Sequence, residues 1–246
     1  MTDDGQDSLT LASGSESEQT FRRVVTSRFF EVGSESDEEI WGLRSELQHE
    51  HHAELALAWL HLQGVTAPIG GFAAAEPLLQ QQLGSARTLL RDGVPFNALE
   101  RLGRWCGVAA LVDGRDGGGA VAAIIPDPTE AIRSELDQLI EPGAEMPARA
   151  VVDKAAEIFS WLPNGAVGRA VAARMSDCPD RAPTEGTVPQ GLSLALVQLH
   201  HEGVVQLSAG DDVSDRVRLA PGGFLGSTGA EVAAVSRIRR TEAAHG

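Results

Sequence analysis

Helical and strand-like hydrophobic periods alternate along the chain, and one combination of the two occurs three times. A helical stretch leads into a short apolar strand, an acidic or glycine-rich turn and a second apolar strand. The strand–turn–strand stretches cover residues 27–43, 108–125 and 204–220. In the second and third copies Gly107 and Gly203 stand where a helix-ending glycine belongs. A helix, a glycine stop and a hairpin with a polar tip close a winged helix, so the pattern predicts three winged-helix-like units.

The regions around these copies are predicted to be mainly helical, which makes the fold class α+β. Helical spacing of apolar residues, with capping residues and prolines at the ends, predicts helices within 49–64, 75–93, 127–140, 147–162 and 165–175. In the first of these, Leu55, Ala58, Trp59 and Leu62 lie on one face. Trp59 and Trp105 are the predicted packing centres.

The chain is expected to divide into five segments. Residues 1–19 are rich in Ser, Asp, Glu and Gly and are predicted to be disordered. The others are a partial winged-helix end at 20–47, a helical region with the second unit at 48–140, the third unit at 141–225, and a short helix with a frayed tail at 226–246. Few residues precede the first hairpin, so this first unit is expected to be truncated.

Charge and composition narrow the classes of protein. Asp and Glu number 35 against 20 Lys and Arg, which gives a formal net charge of −15 and no bulk attraction for a phosphate backbone. Two cysteines are too few for a disulfide framework, and no apolar run is long enough for a membrane helix. The acidic N-terminus is unlike a secretory signal, so a cytoplasmic location is expected.

Three groups of residues could carry chemistry, and each has a simpler interpretation. His49 and His52 share a helical face with His51 nearby, but a third zinc ligand is not evident. The glycine-rich stretches 113–120 and 222–231 lack the lysine and the strand–loop–helix context of a phosphate loop, so they are interpreted as turns. No nucleophile motif is present. We therefore expect no enzyme, no metal and no cofactor.

Two kinds of binding surface remain open. The acidic turns would repel phosphate and suit contacts with other proteins; their carboxylates are Glu35, Asp37, Glu38, Glu39, Asp211 and Asp212. Alternatively, the second predicted recognition helix offers Asn97, Arg101 and Arg104 to DNA, and the third offers Gln190 and Gln198. His200 and His201 end that third helix, where imidazole suits the helix dipole.

Three stretches of the chain carry a resemblance to a known family: AEPLLQQQLG, FNALERLGRWCGVAAL with DPTEAIRSEL, and LSLALVQLHHEGVVQLSAGDDVSDRVRL. Together they resemble the DpdG proteins, which belong to bacterial clusters that place 7-deazaguanine bases in DNA and restrict DNA lacking them. The resemblance covers roughly Ala58 to Pro221 and rests on structural rather than catalytic motifs. It implies a non-catalytic accessory subunit of the restriction arm, and it transfers no active-site residue. Our first hypothesis is an adaptor whose surface binds helicase- or nuclease-type partners, and DNA only as part of that assembly.

Two further functions compete with this adaptor hypothesis. A winged-helix transcriptional regulator would bind DNA directly through Asn97, Arg101 and Arg104. A kleisin-like bridging protein would fit the last unit, whose helix–EGV–strand pattern resembles such tails, although the middle of the chain is predicted to form compact helices.

Overall fold

The computed structural model describes residues 20–26, 41, 52–84, 93–116, 119–180, 186–209, 216–220 and 230–238. The described helices are α1 (20–26), α2 (His52–Gln63), α3 (Phe72–Leu83), α4 (Gly93–Cys106), α5 (Thr129–Ser134), α6 (Leu136–Leu139), α7 (Ala148–Ile158), α8 (Ala166–Arg174) and α9 (Gln190–His201). The described strands are β1 (Ala109–Asp116), β2 (Gly119–Pro126), β3 (Glu145–Pro147), β4 (Thr187–Val188), β5 (Val205–Ser208), β6 (Val217–Leu219), β7 (Glu231–Val232) and β8 (Ala234–Arg237). The predicted class, mainly helical α+β, is confirmed.

The second of the three predicted winged-helix-like units corresponds to α2 to β2, which we call the first unit from here on. Helices α2, α3 and α4 precede an antiparallel hairpin of β1 and β2, whose register extends from Ala109 opposite Pro126 to Asp116 opposite Gly119. Between α2 and α3, Ile69 pairs antiparallel with Ile124 of β2 through two backbone hydrogen bonds of 2.9 Å. The hairpin is longer than predicted, because most of the predicted turn at 113–119 belongs to the strands.

A second unit has a related arrangement with more elements. Helices α5 and α6 precede β3, then α7, α8 and α9 follow, and β5 and β8 complete a sheet of order β3–β8–β5. In the first unit Ile69, between α2 and α3, pairs with β2, and β2 pairs with β1, which follows α4. In the second unit β3, between α6 and α7, pairs with β8, and β8 pairs with β5, which follows α9. The strand pairings are therefore alike, although the described second unit has five helices against three and also contains β4, β6 and β7.

The predicted pairing of the last hairpin is wrong. Strand β5 pairs with β8, whereas β6 pairs in parallel with β4 and antiparallel with β7. The segment 226–246 was predicted as a short helix with a frayed tail, but its residues 231–232 and 234–237 form β7 and β8. Val232 and Val235 are buried there, so the segment contributes to the core as extended chain rather than as a helix. The sequence pattern identified both members of the predicted hairpin as strands but did not reveal the more distant partner of β5.

Helix α2 is central to the molecule. It was expected to bury one face, yet every residue from Glu54 to Gln63 is buried. The reason is its position, since α2 packs against α4 and β2 of the first unit and against α8 of the second. Trp59 is completely buried, as predicted, and its Nε1–H donates to Oε1 of Gln82 at 2.8 Å.

Smaller differences concern helix ends. Helix α3 starts at Phe72 after Gly71, whose φ is 80°, so Pro77 lies inside the helix rather than at its start. The helix predicted at 127–140 divides at Glu135 into α5 and α6. The N-cap position is Pro128 rather than Asp127 or Thr129, although Oδ1 of Asp127 accepts the Thr129 N–H at 3.0 Å. The first predicted hairpin lies outside the described residues except for Trp41, whose ring stacks on the Arg174 guanidinium at 4.2 Å.

Candidate functional site

Helix α4 presents a polar, basic face to solvent. From Phe96 onward its inward side buries Phe96, Leu99, Gly103 and Cys106, which pack it against α2, α3 and β1. The side that faces away from these elements is exposed at Asn97, Ala98, Arg101 and Arg104. We refer to these four residues as the α4 face. The structure thus brings the three sequence-predicted DNA-contact residues, Asn97, Arg101 and Arg104, onto one surface.

The polar residues of the α4 face lie in a line along the helix. Asn97, Arg101 and Arg104 are spaced by four and three residues, so they follow one side of the helix over about 10 Å. Glu100 is only half-exposed at the edge of this line. Within the part of the chain that the structure describes, neither Arg101 nor Arg104 forms a salt bridge.

Backbone bonds after α4 fix the helix relative to the hairpin and to α5. The Val108 N–H donates to the Gly103 carbonyl at 2.8 Å, and the Ala131 N–H donates to the Gly107 carbonyl at 3.1 Å. Gly107 has a φ of 70°, and a Cβ atom there would lie 2.3 Å from Cβ of Glu130. Glycine is therefore required at this position for the close approach of α5, beyond its role in ending the helix.

Helix α1 covers the end of α4. The ring of Phe21 meets the Trp105 ring edge-to-face with centroids 5.5 Å apart, and the Arg22 guanidinium lies 6.0 Å from the same ring. Arg23 reaches Glu135 at 2.9 Å. Trp105, predicted as a packing centre, is only half-buried and serves as the docking point of α1. Burial raises the pKa of the neighbouring Cys106 thiol.

Helix α9, the corresponding helix of the second unit, is covered. Most of its side chains are buried: Gly191, Leu192, Ser193, Ala195, Leu196, Val197 and Leu199. Helix α5 packs along it, and Arg133 of α5 forms an ion pair with Glu202 at its end. Gln198 donates to Glu202 at 3.2 Å, and Gln190 accepts the Val65 N–H at 3.1 Å. Both glutamines offered to DNA by the sequence pattern therefore have partners within the chain.

The two histidines that end α9 are exposed. Nδ1 of His200 lies 3.4 Å from the Leu207 amide nitrogen and 3.3 Å from the Val205 carbonyl. The side chain of His200 therefore joins the helix to strand β5 rather than capping the carbonyls of its own last turn.

Buried polar groups concentrate where the two units meet. His61 of α2 is 1 % exposed, and its Nε2 lies 3.0 Å from the Val108 carbonyl, so this nitrogen carries the proton. Burial lowers the pKa of His61 to about 3, so the ring is neutral at ordinary pH. Its ring centroid lies 4.5 Å from that of Trp161. This histidine therefore connects both units as a core residue.

Asp180 is a second buried group at the same junction. Its carboxylate accepts the Gln190 N–H at the start of α9 at 2.8 Å, and its own N–H donates to the Leu62 carbonyl of α2 at 2.9 Å. Burial raises the pKa of Asp180 to about 7, against the opposing effect of the Gln190 hydrogen bond. Sequence reasoning missed both His61 and Asp180, because neither stands in a motif.

The sequence of most of the chain matches one known family. The profile of that family, described as DpdG-like, matches residues 3–213. The chain belongs to the DpdG-like family. Membership connects it with the Dpd system of 7-deazaguanine DNA modification and with the other proteins of that system. No curated protein and no solved structure matches the chain.

The DpdG-like match includes the α4 face and ends before β6. It also covers the acidic turns, whose six predicted contact residues all lie outside the described part: Glu35, Asp37, Glu38, Glu39, Asp211 and Asp212. His49, His51 and the side chain of His52 lie outside it as well.

Of the glycine-rich stretches, 113–120 belongs to the β1–β2 hairpin apart from residues 117 and 118, and 222–229 is not described. Among the described residues, no cluster of His, Cys, Asp or Glu could hold a metal ion. None of the described helices combines the length and the apolar character that crossing a membrane demands.

Proposed function

We propose that this DpdG-like protein is a non-catalytic accessory subunit of a restriction system that depends on 7-deazaguanine DNA modification. It acts through protein contacts made by winged-helix-like units, and its partners are helicase- or nuclease-type subunits of the same system. Family membership supports the connection with DNA modification. The adaptor role rests on the architecture of the two described units.

The order of elements supports the winged-helix interpretation. In the first unit β2 pairs with β1 and with Ile69, and in the second unit β8 lies between β3 and β5 in the sheet. In both units the last strand therefore pairs with an extended segment earlier in the unit and with the strand that follows α4 or α9, and these two strands close the unit. In helix-turn-helix proteins the helix before these closing strands is the recognition helix. Here α4 and α9 occupy that position.

One observation carries the adaptor role: the second unit uses its recognition-helix position for contact with protein. Helix α9 is packed under α5, and three contacts join it to other elements: the Arg133–Glu202 ion pair, the hydrogen bond from the Thr129 hydroxyl to Gln198 and the hydrogen bond from the Val65 N–H to Gln190. A winged-helix-like surface in this molecule therefore already serves helix-on-helix docking. The net charge of −15 agrees with partners other than bare nucleic acid.

An affinity pull-down of the tagged full chain from its own cell, with and without nuclease digestion, tests the proposal. We expect helicase or nuclease subunits to be recovered in both cases, because protein contacts survive the loss of DNA. Recovery of DNA without a stable protein partner would contradict the adaptor role.

The acidic turns are tested in the same assay. Reversing Glu35, Asp37, Glu38 and Glu39 to Lys should release the partner, because the proposed contact is electrostatic. The matched control makes the same charge change at exposed acids elsewhere: Glu76, Glu141, Asp153 and Glu157. Retention of the partner by the turn variant, or equal loss from both variants, would remove the turns from the interface.

A further inference from the structure

We propose that α4 is the single DNA-contacting helix of the two described units, and that the α4 face binds the backbone and groove edges of duplex DNA. Helix α9 takes no part in this contact. This inference rests on the proposed function, since it assigns to one surface the DNA on which the assembly would act.

The residue types of the α4 face match the chemistry of duplex DNA. Arg101 and Arg104 can each bind phosphate or guanine with two parallel hydrogen bonds, and Asn97 can do the same with adenine. Ala98 beside them is small, so the helix backbone can approach a groove closely. Because these three polar side chains lie on one side of the helix over about 10 Å, they can contact one groove together.

The exposed part of the α4 face lacks the large apolar side chains that form the core of a protein interface. Buried cores of protein interfaces are enriched in aromatic residues and methionine, which supply most of the binding energy. The exposed positions of the α4 face are two arginines, an asparagine and an alanine, and the large aromatic residue beside them, Trp105, is half-buried and contacts Phe21 of α1. Charge complementarity therefore favours a polyanion, and the asparagine adds a group that reads base edges.

The net negative charge of the chain limits this contact without preventing it. Exposed charges farther apart than about 8 Å are largely screened at physiological salt. The exposed charges of the α4 face are the guanidinium groups of Arg101 and Arg104, while Glu100 lies at its edge and is only half-exposed. The local contact is attractive and the bulk of the molecule is repulsive, so binding is expected to be weak and specific to this side of the protein.

The two helices differ in how far they are covered. Helix α5, the first helix of the second unit, packs on α9, and seven of the twelve α9 residues are buried. No comparable element of the described chain covers Asn97, Arg101 or Arg104. The backbone bond from Ala131 to Gly107 and the contact of α1 with Trp105 hold α4 in place, so the helix backbone needs little ordering on binding.

The test measures binding of the purified full chain to a short fluorescently labelled DNA duplex as salt is varied. We expect Arg101→Glu with Arg104→Glu to weaken binding at least about tenfold and to flatten the log–log salt slope by about 2, one unit for each lost phosphate contact. The control pair Arg149→Glu with Arg169→Glu makes the same charge change on α7 and α8 and should change affinity far less. His201→Glu at the exposed end of α9 should have no effect.

Several results would overturn the inference. These are no duplex binding by the unaltered chain, equal weakening by both arginine pairs, or loss of binding in the His201 variant. If the Arg101 and Arg104 changes release a protein partner in the pull-down while the chain binds no duplex, α4 is a protein-docking surface and the accessory role stands. Duplex binding at α4 without any protein partner would instead uphold this inference and contradict the proposed function.

Discussion

Asp180 holds two helix ends together while it is only 8 % exposed. Its carboxylate caps the N-terminus of α9 through the Gln190 N–H, and its backbone binds the end of α2 through Leu62. A charged group in this position loses hydration, and one backbone hydrogen bond offsets only part of that loss. The residue therefore combines a structural contact with an unfavourable ionisation.

Replacing Asp180 with Asn should make the folded state less sensitive to pH. The pKa of Asp180 is raised to about 7 from an ordinary value of 3.8, so its ionisation lowers the free energy of unfolding as pH rises from about 4 through 7. The effect amounts to a few kcal/mol, at about 1.4 kcal/mol per pKa unit. Asn keeps an oxygen that can accept the Gln190 N–H but does not ionise.

Urea unfolding at pH 5 and pH 8 measures this difference. We expect Asp180→Asn to gain stability relative to the unaltered chain at pH 8 compared with pH 5. His61, whose pKa is lowered to about 3, changes stability in the opposite direction at acid pH, but it is common to both proteins and cancels in the comparison. An identical pH dependence of the two proteins would show that Asp180 does not titrate in this range.

At the scale of elements, the space around two helical glycines shows how closely α8 and α4 pack against neighbouring backbone and side chains. A Cβ atom on Gly168 of α8 would lie 1.9 Å from the Leu162 carbonyl oxygen, which belongs to the backbone of the preceding turn. A Cβ atom on Gly103 of α4 would lie 3.2 Å from Cβ of Ala109, where a small movement gives enough space. Both positions are inside helices, so alanine has the same advantage in helix propensity at each.

Gly168→Ala should therefore destabilise the protein by about 1–3 kcal/mol, because the turn before α8 must shift. Gly103→Ala should be close to neutral, since the gain in helix propensity, up to about 1 kcal/mol, opposes a small adjustment. Thermal unfolding of both variants checks this comparison. Equal stability of the two alanine variants would contradict the close contact at Leu162.

The sequence pattern predicted the elements better than their partners. Strand β5 and strand β6 were both recognised from their own residues, and the turn between them was interpreted as a hairpin tip. The pairing depends on Val235, far along the chain, whose burial beside β5 no local pattern indicates. Helix α2 was likewise recognised from its spacing, but full burial depends on α8, which closes over its outer side.

At the scale of the whole molecule, the candidate site also divides into a local geometry that the sequence predicts and surroundings that it does not. Asn97, Arg101 and Arg104 could be predicted to share a helix face, because helical geometry places them so. The burial of α9 agrees with its largely apolar stretch LSLALVQL, whereas α4 carries Asn97, Glu100, Arg101 and Arg104 on its polar side. The partner that covers α9, helix α5, could not be predicted from either helix.

The shared helix α2 also predicts that the two units unfold together. Because α2 packs against α4, β2 and α8, unfolding of either unit removes one side of the packing around it. Leu199 of α9 is completely buried in the second unit, and Leu199→Ala should destabilise the protein by about 2–5 kcal/mol. We expect the loss to appear in both units, including α4, which Leu199 does not adjoin in sequence.

Native-state hydrogen exchange measures this coupling amide by amide. In Leu199→Ala, the slowest-exchanging amides of α4 and of α9 should lose protection by the same free energy, since both exchange through one global opening. His201→Ala, at an exposed position of the same helix, should leave both sets unchanged. If α9 loses protection and α4 keeps it, the units unfold separately. In that case the second unit opens while α4 stays folded, and the packing of α2 against both units does not couple their unfolding.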